Sequence, residues 1–145
     1  MAMDVVARNY FFEDLTSGLA AEFSKTITEA NIAAFASVSG DTNPVHLSAS
    51  YAAGTIFKER IAHGMLTASL ISAVFGTRLP GHGAIYVSQS LKFRAPVKIG
   101  DTVCARVEVL ELIPKKKFAV FETTCVVGGT VVLDGQATLW VPSRQ

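Results

Sequence analysis

Residues Thr67 to Phe75 form a stretch that a helix facing water has no reason to carry. Leu70, Ile71, Val74 and Phe75, with Met65 and Leu66 just before them, cover more than one face at helical spacing. Ala68, Ser69, Ser72 and Ala73 between them are small and permit close approach. A helix that is apolar nearly all round is predicted to be buried. About a dozen residues at a 1.5 Å rise make it roughly 18 Å long, the width of a small sheet. Gly76, Pro80 and Gly81 end it.

The remainder of the chain reads as strand. Ile85, Val87, Gln89, Leu91 and Phe93 alternate with Tyr86, Ser88, Ser90, Lys92 and Arg94. Val103, Ala105, Val107 and Val109 alternate in the same way, Phe118 to Val127 is β-branched and aromatic, and Val131 to Val141 follows. Turn signals separate these runs at Gly100-Asp101, Pro114 to Lys117 and Gly128-Gly129. Upstream, Phe23, Lys25 and Ile27 suggest a first strand, and Thr28 fits the N-cap of a short helix bearing Ile32, Phe35 and Ala36. The expected class is therefore α+β, an antiparallel meander of long strands wrapped around one apolar helix. A length of 145 residues suits a single domain. We read residues 1–19 as a leading segment and 20–141 as the core.

Composition narrows the function classes. The chain is 50% hydrophobic and 17% charged, more apolar than an average domain, which suits oligomerisation or a lipid-like ligand. A net charge of +1 gives no field directed at nucleic acid or an anionic membrane. No apolar run reaches spanning length and no signal pattern opens the chain, so a cytoplasmic location is expected. Cys104 and Cys125 lack metal-type spacing and are expected to be buried free thiols.

The chemistry is concentrated in Asp41-Thr42-Asn43-Pro44-Val45-His46. The residue before a proline is pushed out of the helical region, and Gly40 is the expected stop of the preceding helix. Asp41 and His46 thus flank an irregular hinge on which both side chains can converge on one water and move its protons. A histidine with an ordinary pKa of about 6.5 suits proton transfer near neutral pH. Either residue can serve as the acid or the base. An incidental histidine after an Asx turn is the bland alternative. No phosphate loop, nucleophile elbow or dinucleotide fingerprint is present, and we expect neither metal nor cofactor.

Gly40-Asp41-Thr42-Asn43-Pro44-Val45-His46 resembles the hydratase-2 motif of the MaoC-like, (R)-specific enoyl-CoA hydratases. Ala62-His63-Gly64-Met65-Leu66 is similar to the second signature of that family. Leu79-Pro80-Gly81-His82-Gly83-Ala84-Ile85-Tyr86 and Pro96-Val97-Lys98-Ile99-Gly100-Asp101 are similar to its later segments. The likeness spans roughly residues 20–141 and is closest to the short hydratases that feed polyhydroxyalkanoate synthesis. The family often has an acidic residue two places after the motif histidine. Here it is Ser48, which can cap the following helix.

The resemblance implies a hot-dog fold, usually dimeric, and hydration of a trans-2-enoyl-CoA to the (3R)-hydroxyacyl-CoA. It makes Asp41 and His46 catalytic and gives Gly64 the backbone N–H that stabilises the enolate oxygen. It makes His63 a residue that orders the site, and it places the Ser72 hydroxyl toward the pocket. Asn43 is expected to fix the loop through its side-chain amide. Met65 is a candidate for the acyl slot, with Leu66, Leu70 and the residues around Tyr51 and Phe57 as further lining or plain core, and Arg94 heads the cations available to CoA, with Lys58, Arg60, Arg78, Lys92 and Lys115 to Lys117 behind it. A homodimer is expected, because the fold leaves an edge strand and an apolar face for a partner. Two alternatives remain at this level: a hot-dog acyl-CoA thioesterase, and a hot-dog domain that only binds acyl thioesters.

Overall fold

Thr28 and Gly40 bracket the first helix as their chemistry requires. In the computed structural model, which describes residues 9–145, helix α1 spans Glu29–Ser39. The Thr28 hydroxyl accepts the Asn31 N–H (3.1 Å), and the Asn31 side chain accepts the Thr28 N–H (2.9 Å). Gly40 ends the helix in the left-handed region at φ 81°, where a side chain would be strained. Residues 1–8 of the leading segment lie outside the described part. The rest of that segment is clasped to the far end of the chain. The Phe12 N–H donates to the Pro142 carbonyl (2.7 Å), and one Arg144 nitrogen meets both Asp14 oxygens (2.8 Å each).

Strand β1 (Ala20–Thr26) precedes α1, and two short helices follow it, α2 (Pro44–Leu47) and α3 (Ala49–Ala53). The long helix α4 spans Gly64–Thr77. Strands β2 (Ile85–Gln89), β3 (Lys92–Phe93), β4 (Thr102–Ile113), β5 (Phe118–Val127) and β6 (Thr130–Trp140) complete the chain. All pairings are antiparallel, in the order β1-β4-β5-β6-β2, with β3 also against β6. Val103, Ala105, Val107 and Val109 of β4 face inward, as their alternation predicts. They meet Phe121 and Cys125 of β5 and Leu133 and Leu139 of β6 in one core with Leu70, Ile71, Val74 and Phe75 of α4. Full burial of each large side chain stabilises by about 1.5–3 kcal/mol before entropy is counted.

Three expectations require correction. The meander holds only for β4-β5-β6, because β2 crosses over to pair with β6 and β1 closes on β4. The run from Ile85 to Arg94 is not one strand but breaks at Ser90-Leu91, where the Ser90 carbonyl lies against Gly135. Helix α4 buries one face only. Met65, Ser69, Ser72 and Gly76 lie open, as do Ile85, Tyr86 and Val87 on the edge strand β2. Cys104 and Cys125 are free thiols, but only Cys125 is fully buried, and burial pushes its pKa up to about 12. Among the described residues, no helix is long and apolar enough to cross a membrane.

Candidate active site

The hinge after Gly40 is built from side chains folding back on their own backbone. One Asp41 carboxylate oxygen accepts the Asn43 N–H (3.2 Å), and the Asn43 side-chain oxygen accepts the Val45 N–H (3.1 Å). Asn43 is thereby the N-cap of α2, with Pro44 in the first helical position, where a missing N–H costs nothing. The Asn43 side chain is thus folded into the hinge itself. Ser48 ends α2 and caps α3 by accepting the Tyr51 N–H (3.1 Å), which explains why a hydroxyl suffices there.

His46 sits on α2 with 9% of its surface exposed. Its Nδ1 lies 2.8 Å from the Ile61 carbonyl. A carbonyl only accepts, so Nδ1 carries the hydrogen and Nε2 of the neutral ring keeps its lone pair. His63 is built the same way from the other side. It is 2% exposed, and its Nε2 donates to the Asp41 carbonyl (2.9 Å). The two imidazoles stack with centroids 3.9 Å apart and planes at 28°, and Phe35 packs on the far side of His63 at 4.8 Å. His63 thus holds the Asp41 backbone with one edge and the His46 ring with its face. Its Nδ1 is the buried side-chain nitrogen left without a partner among the described residues.

Asp41, His46 and His63 each bring one donor atom within 4.8 Å of the others, closer than their spacing in the chain suggested. Such a set has the composition of a metal site. The stacking opposes that use, since two nearly parallel rings aim their in-plane lone pairs along parallel planes instead of at a common ion.

A cavity of about 520 Å³ opens beside this cluster, a size suited to a small-molecule ligand. Asp41, His46 and His63 line it together with Gly64 and Met65 from the start of α4. The Leu66 and Thr67 amides bond back to the His63 carbonyl (3.0 and 3.3 Å). The Gly64 and Met65 N–H groups, which no helix turn can satisfy, are left for the cavity, at the positive end of the helix dipole. Gly64 has a second reason to be glycine. A Cβ there would lie 2.6 Å from the ring edge of Phe93, whose side chain forms the facing wall.

The structure brings Asp41, His46, Gly64, His63, Met65 and Arg94 to one cavity, Arg94 while its Nε pairs with Asp134 (2.7 Å), and it places Asn43 in the hinge outside the lining. It does not bring Ser72. Eight residues beyond Gly64, about 12 Å along a helix, Ser72 is exposed and outside the cavity lining within this chain. Leu66 and Leu70 are core, and Tyr51 is exposed, whereas Phe57 does line the cavity. Among the cations, Arg78 donates to the Glu22 carbonyl and lies over Phe23, and Lys116 and Lys117 lie over Phe118 and Phe12. His82 is exposed loop. Sequence reasoning missed Phe93, Ala95, Val97, Val132 and Leu133 as apolar cavity wall. The one signal for Phe93 was an alternation it shared with every residue of its run.

A profile of the MaoC like domain matches residues 14–133. The chain is 60% identical over 135 residues to the (R)-specific enoyl-CoA hydratase of Rhodospirillum rubrum, covering 93% of this chain and 94% of that relative. It is 54% identical over 138 residues to the 3-hydroxybutyryl-CoA dehydratase of Methylorubrum extorquens, covering 95% and 88%. The unliganded R-hydratase PhaJ1 of Pseudomonas aeruginosa matches the structure with a TM-score of 0.89 at 47% identity, over 94% of this chain and 88% of that one. With the hinge, the glycine that opens α4 and the sheet wrapped on that helix already in view, these matches establish that the chain belongs to the MaoC-like family and has its hot-dog fold.

Proposed function

We propose that this protein is an (R)-specific enoyl-CoA hydratase, adding water reversibly to a trans-2-enoyl-CoA to give the (3R)-hydroxyacyl-CoA. The observation that carries the reading is the convergence of Asp41 and His46 on one cavity that reaches the Gly64 N–H. Nε2 of His46 takes a proton from a water that Asp41 also holds, and the water oxygen bonds to the β-carbon. Charge moves to the thioester oxygen, where the Gly64 N–H meets it. The acid–base pair returns one proton to the α-carbon on the same face, so one water is added and both residues end as they began. The names of the close relatives, a hydratase and a dehydratase of CoA thioesters, support this substrate class. No step in this scheme calls for a metal or cofactor.

Incubation with crotonyl-CoA tests the reading. The conjugated enoyl absorbance falls, chiral analysis finds the 3R product, and prior dialysis against a chelator leaves the rate unchanged. Release of free thiol in place of hydration would favour the thioesterase alternative.

We assign a homodimer to the working enzyme. The exposed apolar residues Ile85, Tyr86 and Val87 on edge strand β2, and the open stripe of small residues on α4, support a second copy as the cover. Light scattering is expected to give twice the chain mass, and Val87→Lys to shift it toward the monomer; a wild-type chain that stays monomeric at micromolar concentration rejects the assignment. Free thiols at Cys104 and Cys125 support a reducing, cytoplasmic location.

A further inference from the structure

We propose that Arg60 is a positioning residue for His46, holding the catalytic imidazole in register with Asp41; the proposal rests on the hydratase reading of that pair. The Arg60 side chain is only 14% exposed. A guanidinium leaves water at a cost unless its donors are met. Two of its nitrogens are committed: Nε donates to the His46 carbonyl (2.7 Å) and Nη1 to the Glu29 carboxylate (2.6 Å).

Both partners matter. Helix α2 has four residues, so its last carbonyls lack helical partners, and that of His46 is one of them. Arg60 supplies the missing donor. The next residue grips the same histidine by its ring, because the Ile61 carbonyl accepts from Nδ1 and the Ile61 N–H donates to Val45 (3.3 Å). Residues 60 and 61 therefore hold the main chain and the imidazole of His46 together. Glu29 is the first residue of α1, and Asp41 follows the end of that helix. Through Glu29, Arg60 ties His46 to the element that also places Asp41. Arg60 does not line the cavity, so it acts through His46 and not on the substrate. With Nε and Nη1 committed, only Nη2 is left that could meet a CoA phosphate.

The test uses the full chain with Arg60→Met, Arg60→Lys and Glu29→Gln. It reads kcat and KM for crotonyl-CoA, the melting temperature, and the imidazole nitrogens by long-range proton–nitrogen NMR. Arg60→Met is expected to lower kcat by about tenfold to a hundredfold with KM within about twofold, as for a small displacement of a catalytic group. The His46 Nδ1–H signature should weaken in the same variant. Arg60→Lys, which keeps one donor, should recover part of kcat, and Glu29→Gln should lose less than Arg60→Met. A raised KM at unchanged kcat would assign Arg60 to CoA binding and overturn the proposal. A lower melting temperature with normal kcat and an unchanged His46 signature would reduce Arg60 to plain scaffold. The NMR arm decides the positioning claim even where no hydration is seen, so failure of the hydratase reading is separable from failure of this one.

Discussion

Replacing Asp41 with Asn is expected to slow hydration of crotonyl-CoA by about a hundredfold or more, and replacing His46 with Gln to do the same, with substrate binding largely kept. The Asn variant isolates charge from geometry. The Asp41 oxygen that accepts the Asn43 N–H has a counterpart in an asparagine side chain, so the turn survives and only the carboxylate is lost. The His46 variant removes the free lone pair that the Ile61 carbonyl leaves on Nε2. Because the proposed mechanism has both groups act on one water, the double variant should be little worse than either single one. Steady-state kinetics with matched melting curves checks this. Near-normal turnover in either single variant would return the chain to the class of non-catalytic acyl-thioester binders.

The second large effect is on the fold. Gly135 of β6 lies where the chain passes from β2 to β3, and a Cβ there would stand 1.8 Å from the Ser90 carbonyl oxygen and 2.7 Å from its carbon. Both are backbone atoms that cannot swing aside. The Ser90–Leu91 corner is pinned, since the Ser90 N–H donates to the Gln136 carbonyl (2.8 Å) and the Gln136 N–H to the Ser90 hydroxyl (3.0 Å). Gly135→Ala must break these bonds or displace the corner. The expected loss is about 3 kcal/mol or more, a fall in melting temperature of roughly 10 °C. β3 carries Phe93 and leads into Arg94, so substrate binding should weaken as well. Gly54→Ala is the control. Gly54 ends α3 at φ −86°, which alanine adopts freely, and a Cβ there makes only an ordinary contact with the Tyr51 carbonyl oxygen at 3.5 Å, so stability should hold. A Gly135→Ala protein that melts with the wild type would show that the corner yields freely.

Local chemistry made much of this legible in advance. The Thr28 cap, the Gly40 stop, the Asn43-Pro44 hinge and the inward face of β4 each follow from residues close together in the chain. Two features were hidden for one physical reason: they depend on what lies opposite. The alternation from Ile85 to Phe93 reads the same whether the strand is central or an open edge, and nothing in it announces that Gly135 will press on Ser90. The contacts of Arg60 and His63 also join residues far apart in sequence, so their committed donors could not be told from free ones.

The main-chain grip on His46 has a further consequence. In the proposed mechanism, with its inner nitrogen tied down, the ring exchanges hydrogen with the reacting molecule only through the outer one, and it needs no flip to be ready again. A device that resets in place favours neither forming nor removing the alcohol. Which way carbon flows through it is left to whichever neighbouring reaction drains the pool faster.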